Sequence, residues 1–186
     1  MRAPIAGQRY TTAAIALHWA IAALIFVGFP LGIYMHDLPL SPVKLRLYSY
    51  HKWIGITVLA FAIARLAWRA AHRPPPPVPM PAWQARAAAA GHLLMYVLMF
   101  AVPLTGWTMS SALGFKVVWL GVLPLPDLVA KDKALGEVLK VVHQTLSLSL
   151  AAVVALHLVA ALEHQFVRRD GLMKRMLPLA HKDRKP

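Results

Sequence analysis

Hydrophobic residues occur in four long runs that short polar or proline-rich segments separate. The runs cover roughly residues 11–35, 48–71, 86–113 and 138–167. An α-helix needs about 20 mainly apolar residues to cross a hydrocarbon core about 30 Å thick, and every run is long enough. The first run exceeds the apolar part of a signal peptide, so it is predicted to be retained as a helix. The pattern predicts an all-α, integral membrane four-helix bundle that forms a single domain over residues 1–186.

The connections between the runs differ in character. HDLPLSPVKLRLYS joins the first two runs and is short. RPPPPVPMP cannot be helical and predicts a stiff tether between the second and third runs. The third connection, which begins GFKVVWLGVLPLPDLV, is the longest. Its Val, Trp and Leu side chains are too apolar for a solvated linker, which indicates that it lies at the membrane interface.

The composition is typical of a membrane protein. Of the 186 residues, 59% are hydrophobic and 15% are charged, which excludes an ordinary soluble domain. The sequence has no cysteine, which excludes disulfides, thiolate metal sites, iron–sulfur clusters and covalently attached haem. The net charge of +13 comes mainly from the ends of the apolar runs, where lipid and topology explain it. We therefore expect membrane lipid, and no nucleic acid, as a partner.

Lysine and arginine are distributed unequally between the two ends of the predicted bundle. Most of the 20 lie in the N-terminal segment, the second connection and the C-terminal tail, and fewer lie in the first and third connections. Segments rich in positive charge stay in the cytoplasm. Both termini are therefore predicted to be cytoplasmic.

The fourth run, VHQTLSLSLAAVVALHLVAALEH, carries His143 and His157. On a helix this spacing turns about 40° short of four full turns and rises about 21 Å, so the two imidazoles share one face at two depths. An imidazole inside a bilayer is costly, and it usually faces a bundle interior or holds a metal or cofactor. The alternative is that both rings only hydrogen-bond neighbouring helices.

The predicted orientation sorts the other histidines by depth. His18 lies level with His157 on the cytoplasmic side, and His51 lies level with His143 near the outer surface. Two imidazole pairs at two levels of a bundle suit two six-coordinate haems, and filled axial positions favour electron transfer over oxygen binding. Gly55, one turn after His51, would admit a bulky planar ligand, although close helix packing explains a small residue equally well.

His92 is the rival ligand, because it lies at about the depth of His18. Alternatively it hydrogen-bonds a haem propionate or lines a quinone pocket. His36, His72 and His181 fall in connections or in the tail and are predicted to have no specific role. A function from another class, a haem-free proton or metal transporter, would use the same intramembrane histidines and would leave the purified protein colourless.

A set of motifs spans nearly the whole chain: ALHW in the first run, His51 with Gly55 in the second, GHLLMYVLMFAVPLTG in the third, and HQTL, ALH, EH and RMLP in and after the fourth. Together they resemble the bacterial cytochrome b561 family of small dihaem b proteins in the inner membrane. The resemblance implies a multi-pass protein of the bacterial inner (plasma) membrane with two haems b. It also implies that the haem iron ligands are His18, His51, His143 and His157.

The same resemblance implies an oxidoreductase. Family members pass electrons from a donor at the outer face to ubiquinone, and the best-described activity oxidises superoxide to oxygen and forms ubiquinol. Some members have a His-His pair near the end of the fourth helix, where this chain has Glu163 and His164. These two residues are the candidates for supplying protons to the quinone.

Charge near the outer histidines favours an anionic donor on separate grounds. Lys44, Arg46, Lys52 and Lys140 lie close in sequence to His51 or His143. A cationic mouth concentrates an anion and raises its association rate, so Lys44, Arg46 and Lys52 are candidates for steering superoxide. Pairing with haem propionates or contact with lipid is the alternative role for each of them.

A second function fits the same haem arrangement. The chain would then be a membrane-anchor cytochrome b subunit that relays electrons for a separate periplasmic dehydrogenase or reductase. The apolar third connection offers a docking surface for such a partner. Purification alone, or with a stoichiometric partner, separates the two functions.

Overall fold

The structure, a computed structural model, describes residues 9–178. In that range four helices are long and apolar enough to cross a membrane. They are α1 (Thr12–His36), α2 (Pro42–Ala71), α3 (Ala82–Ala112) and α4 (Lys133–Glu163). This confirms the predicted all-α membrane four-helix architecture. The cytoplasmic location of the termini stays a prediction, and part of its basis lies outside the described residues: Arg2, Lys182, Arg184 and Lys185.

Three of the helices begin earlier than the hydrophobic pattern indicates. α2 begins at Pro42, whose missing N–H costs nothing at the first helical position. The Ser41 hydroxyl caps this helix by accepting a hydrogen bond of 3.2 Å from the Lys44 backbone N–H. Likewise α4 begins at Lys133 because the Asp132 side chain accepts from the N–H of Leu135 at 3.1 Å. α3 begins directly after Pro81. Polar first turns therefore extend the helices beyond their apolar spans.

The helices pack in sequence order, with α1 against α2, α2 against α3 and α3 against α4. Lipid is as apolar as a protein core, so close packing of side chains holds membrane helices together. All four helices contribute to one buried cluster: Ile21, Val58, Ala62, Leu98, Met99 and Leu150. Within the described residues, α4 makes few close backbone approaches to α1 or α2.

The third connection contains a short β-hairpin. Its strands are β1 (Val118–Trp119) and β2 (Leu123–Pro124), which pair antiparallel. Leu120 and Gly121 adopt the left-handed conformation, with φ of 53° and 74°, and turn the chain between them. Strands of two residues carry no alternating pattern, so the sequence predicted an interfacial loop without a hairpin.

Indole N–H groups tie this connection to the helices. Three bonds do so, with donor–acceptor distances of 2.6, 3.0 and 3.1 Å: Trp53 Nε1 to the Val118 carbonyl, Trp107 Nε1 to the Pro126 carbonyl, and Trp119 Nε1 to the Thr57 hydroxyl. The apolar bodies of the tryptophans stay against the helices while their donors are satisfied. The connection is therefore an ordered cap at one end of the bundle.

The chain after α4 turns back towards α1. A π-helical turn covers His164–Arg168, Arg169 is left-handed with φ 53°, and a 3-10 turn covers Met173–Arg175. Trp19 on α1 donates its indole N–H to the Met176 carbonyl at 2.7 Å. The C-terminal segment thus packs on the first helix.

Candidate functional site

The outer histidine pair joins α2 and α4. His51 and His143 have ring centroids 6.1 Å apart and ring planes at 87°. Backbone carbonyls lie next to Nδ1 of both rings, that of Gly28 at 3.1 Å from His51 and that of Val102 at 3.0 Å from His143. Carbonyls only accept hydrogen bonds, so this geometry assigns the proton to Nδ1 in each ring. Nε2 of both rings is then the nitrogen able to bind a metal.

The inner pair joins α1 and α4. His18 and His157 have ring centroids 6.3 Å apart and ring planes at 70°. An imidazole–metal bond of about 2 Å places two axial rings on one metal with centroids about 6 Å apart. Both pairs match that separation. The structure therefore brings together the same histidines that the depth argument paired.

The space around the pairs suits a flat, apolar ligand. Both pairs lie across the interval that separates α4 from α1 and α2, where the helices make few close backbone approaches in the described chain. A Cβ built on Gly55 would meet nothing within 4 Å. In donor type, ring separation and shape, these residues fit haem b held by two imidazoles.

Two glycines that the sequence analysis missed let the outer rings approach their helices. A Cβ on Gly32 would lie 3.1 Å from Cε1 of His51, and one on Gly106 would lie 3.0 Å from Cε1 of His143. Each glycine is one helical turn after the carbonyl that its histidine binds. A proline, Pro30 or Pro103, stands between carbonyl and glycine in both helices. The segments PLG and PLTG are the signal that marks these sites in the sequence.

The remaining histidines take other positions. His92 lies with its centroid 5.5 Å from that of His157, closer than an axial pair, and hydrogen-bonds the Ala88 carbonyl of its own helix. His36 contacts its neighbour Asp37, and His72 stacks on the Trp68 ring at 3.8 Å. His181 lies outside the described residues. His92 is thus beside the inner pair, whereas the contacts of His36 and His72 are with residues outside both pairs.

The candidate steering residues lie in the N-terminal part of α2, the helix that carries His51, and two of them also have structural bonds. Lys44 Nζ donates to the carbonyl of His36, the last residue of α1, at 3.1 Å and to that of Leu38 just after the helix at 2.5 Å. Lys52 Nζ donates to the Lys116 carbonyl at 3.1 Å. Arg46 is exposed. Carbonyl contacts leave the charges of both lysines unpaired, so this end of the bundle stays cationic.

The candidate proton donors have separate partners. Glu163 accepts a hydrogen bond of 2.8 Å from Arg168 Nε, and Nη1 of the same arginine donates to Gln84 on α3 at 2.8 Å. His164 Nδ1 lies 2.5 Å from a carboxylate oxygen of Asp170. The sequence analysis missed Asp170 and Arg168, because the π-helical turn and the reversal after it bring them back to the end of α4.

Asp170 is held as a carboxylate. Burial acts to raise its pKa, but a hydrogen bond from the Leu172 N–H and the contact with His164 outweigh burial, and the pKa lies below the usual value. A carboxylate at Nδ1 fixes the orientation of an imidazole. The Asp170 carboxylate therefore holds the His164 ring in place at the end of α4.

The comparison with known proteins decides the family. A family model for prokaryotic cytochrome b561 matches residues 9–179. The chain belongs to the prokaryotic cytochrome b561 family. Cytochrome b561 homolog 2 of Escherichia coli (strain K12) is 31% identical over 185 residues, which is 95% of each chain. The probable superoxide oxidase CybB of Yersinia pestis is 26% identical over 92% of this chain and 97% of its own. Cytochrome b561 homolog 1 of Escherichia coli is 29% identical over 92% of this chain and 98% of its own.

Membership of the cytochrome b561 family confirms the resemblance drawn from the motifs. The family consists of membrane cytochromes that bind haem b and transfer electrons. This protein is accordingly a haem-binding electron-transfer protein, and an oxidoreductase in that broad sense. Together with the four apolar helices, membership makes it a multi-pass protein of the bacterial inner membrane.

Proposed function

We propose that the protein binds two haems b and carries electrons across the membrane from superoxide at the outer face to ubiquinone. His51 with His143 would hold one haem, and His18 with His157 the other. The observation that carries the proposal is the presence of two imidazole pairs, 6.1 and 6.3 Å apart, at two depths along α4. A haem held between two imidazoles would supply one-electron transfer and not oxygen activation.

The protein's own residues prepare the outer pair. The carbonyls of Gly28 and Val102 fix the two rings with Nε2 directed away from their hydrogen bonds, and such contacts raise the basicity of a ligating imidazole. Gly32 and Gly106 make room for the rings against α1 and α3. The rings are therefore oriented before a ligand binds, which lowers the cost of binding it.

Two observations favour superoxide as the electron donor: the positive charge at this end of the bundle and the name of a similar protein. Lys44, Arg46 and Lys52 give this end of the bundle a positive field that attracts a small anion. The relative from Yersinia pestis is named a probable superoxide oxidase. Both observations support an anionic electron donor at the outer face.

The overall reaction requires protons that superoxide does not bring. Two superoxide anions lose one electron each and become two molecules of oxygen, while one ubiquinone gains two electrons and two protons and becomes ubiquinol. We assign proton delivery to Glu163 and His164. The carboxylate of Asp170, 2.5 Å from His164, orients that imidazole for proton transfer.

A spectroscopic experiment tests this function. The protein is purified in detergent, haem per chain is quantified, and the reduced-minus-oxidised visible spectrum is recorded. A superoxide pulse should then reduce two b-type haems, and added ubiquinone should reoxidise them. Two haems indifferent to superoxide would remove superoxide from the proposal, and absence of haem would overturn the proposal altogether.

The hairpin of the third connection supports the second candidate, a relay subunit for a periplasmic dehydrogenase or reductase. Its turn is apolar and exposed, with Val122 78% accessible and Leu120 51%. An exposed apolar patch is typical of a surface that contacts lipid or another protein. Co-purification of a stoichiometric soluble partner, lost when Val122 is changed to Ser, would favour this function over superoxide oxidation.

A further inference from the structure

A cavity of about 410 Å³ lies at the end of the bundle where α1 begins and α2 ends. We call it the basic cavity, because four arginines line it together with His72: Arg9, Arg65, Arg69 and Arg73. Of the described residues that line it, none is acidic. The concentration of positive charge around one concave space is typical of a site for anions.

The wall of the basic cavity is built from ordered groups. Trp68 donates its indole N–H to the Thr11 hydroxyl at 2.8 Å, and Thr11 in turn caps α1 by accepting from the N–H of Ala14. His72 stacks on the other side of Trp68 with parallel planes. The start of α1 and the end of α2 are thereby fixed to each other. Tyr10, Trp68 and Tyr96 add aromatic surface next to the cations, a combination typical of membrane–water interfaces.

Arg65 forms the inner part of the basic cavity. Its Nε donates to the Tyr96 hydroxyl at 3.0 Å and its Nη1 to the Ala14 carbonyl at 3.3 Å. Neither partner carries a negative charge, so the guanidinium is held in place without being neutralised. Its remaining N–H groups are donors for a ligand. Arg65 also acts electrostatically on His18 and His157, which places it beside the inner pair.

Arg69, one helical turn after Arg65, and Arg73, in the extended segment just after α2, form the rest of the basic cavity. Neither has an ion-pair partner among the described residues, whereas Arg168 at the same end of the bundle pairs with Glu163 at 2.8 Å. Unpaired arginines that converge on one space repel each other, and an anion between them removes that cost.

We propose that the basic cavity binds an oxyanion, a phosphate or a carboxylate, that belongs to an amphipathic ligand. Arginine binds both groups through paired N–H donors, and the aromatic wall suits the apolar body of such a ligand. Arg69 in the last turn of α2 and Arg73 just after that helix fit the phosphate of an anionic phospholipid. Arg65, beside the inner pair, also fits a haem propionate. The propionate source rests on the proposed function, whereas the phospholipid source does not.

Binding of phosphatidylglycerol to the purified, delipidated full-length protein tests the phospholipid source, with phosphatidylcholine as the zwitterionic reference. The test variants are Arg69→Gln and Arg73→Gln. The matched control is Arg86→Gln, which removes one exposed arginine of α3 that does not line the cavity. Each test variant should bind phosphatidylglycerol about tenfold more weakly, the effect of one lost charged hydrogen bond, and the control should not. Arg69→Lys should recover part of the loss, because it restores the charge but not the planar donor pair.

The propionate source is tested on the haem-loaded protein by redox titration. If propionates occupy the basic cavity, Arg65→Gln should lower the midpoint potential of one haem and leave the other unchanged, because a cation beside a reduced haem favours reduction. Arg86→Gln should change neither potential. Unchanged lipid binding together with unchanged potentials would overturn the proposal. If the wild-type protein lacks haem, the proposed function fails, but the phosphatidylglycerol test still decides whether the basic cavity binds an anionic lipid.

A footprint on the wild-type protein avoids any dependence on the folding of variants. Phenylglyoxal modifies accessible arginines, and mass spectrometry reports the extent at each one. Phosphatidylglycerol vesicles should protect Arg69 and Arg73 relative to phosphatidylcholine vesicles and should not protect Arg86. Equal modification of all three arginines in both kinds of vesicle would contradict an anion in the cavity.

Discussion

His143 and His92 differ in what holds their rings. His143 has a carbonyl at Nδ1 and another imidazole across a gap of ligand width, whereas His92 bonds its own helix and lies only 5.5 Å from His157. Both residues carry the same imidazole side chain. The two rings therefore differ in position and in hydrogen bonding, and not in chemistry.

Removing one imidazole of the outer pair tests whether the two haem sites bind independently of each other. His143→Ala should bind about half the haem of the wild type and keep the spectrum of the inner site, because His18 and His157 remain. His92→Ala, the control, should keep both haems. Haem per chain and low-temperature reduced spectra measure both outcomes. Equal loss of the two haems in His143→Ala would contradict separate pairs.

Charge near the outer pair is tested by association kinetics. Changing Lys44, Arg46 and Lys52 together to Gln should slow reduction by superoxide about tenfold at low ionic strength, because the attraction of the anion is lost. Stopped-flow or pulse-radiolysis rates should converge with wild-type rates in high salt, where the field is screened. A rate that does not change at low salt would exclude steering by these residues.

Helices α1 and α3 share one local arrangement of a carbonyl, a proline and a glycine. Each offers a carbonyl to an incoming imidazole and, one turn later, a glycine on which the ring packs, with a proline between them. A proline in a membrane helix bends it and is tolerated there. The two helices thus present similar surfaces to the two rings of the outer pair.

A methyl group at Gly106 should disturb the outer site without unfolding the bundle. The new Cβ would lie 3.0 Å from Cε1 of His143, so the ring must move away from the Val102 carbonyl. Gly106→Ala should weaken binding of the outer haem by about tenfold, in the range expected when a contact that orients a metal-binding histidine is lost. Gly91→Ala is the control, because its Cβ meets nothing within 4 Å. Haem titration of the apoprotein measures both, and equal affinities would contradict the packing argument.

At the scale of the whole molecule, the C-terminal segment closes one end of the bundle. The Tyr10 N–H donates to the Arg175 carbonyl at 3.3 Å, and the Arg175 guanidinium, itself buried, donates to the Pro76 carbonyl at 2.8 Å. The start of α1, the proline-rich tether and the tail are joined in this way. The His164–Asp170 contact lies where the tail leaves α4.

Asp170 gives the docking of the tail a predictable pH dependence. Its pKa is lowered in the folded protein, so ionised Asp170 stabilises docking above its unfolded pKa of about 3.9, and this contribution disappears as pH falls through the lower folded value. Hydrogen exchange at Leu172, corrected for intrinsic rates, should show constant protection at neutral pH and loss below about pH 4.

Asp170→Asn should reduce protection of the tail at neutral pH and remove its acid dependence. Asp37→Asn is the matched control, because Asp37 also contacts a histidine but is exposed at the other end of α1. Protection of the tail in Asp170→Asn equal to that in the wild type would show that the carboxylate does not hold the segment.

The sequence alone determined the four membrane helices, the depth of each histidine along its helix and the family. Apolar length and helical periodicity are local properties, and they require no knowledge of contacts. Tertiary structure decided which groups meet: the carbonyls of Gly28 and Val102 at the outer rings, the glycines beneath those rings, and the arginines around the basic cavity. It also placed Asp170 at His164, after a reversal that no periodic pattern records. These contacts join residues distant in the chain or separated by irregular turns, so only packing of the helices and folding of the tail fixes them.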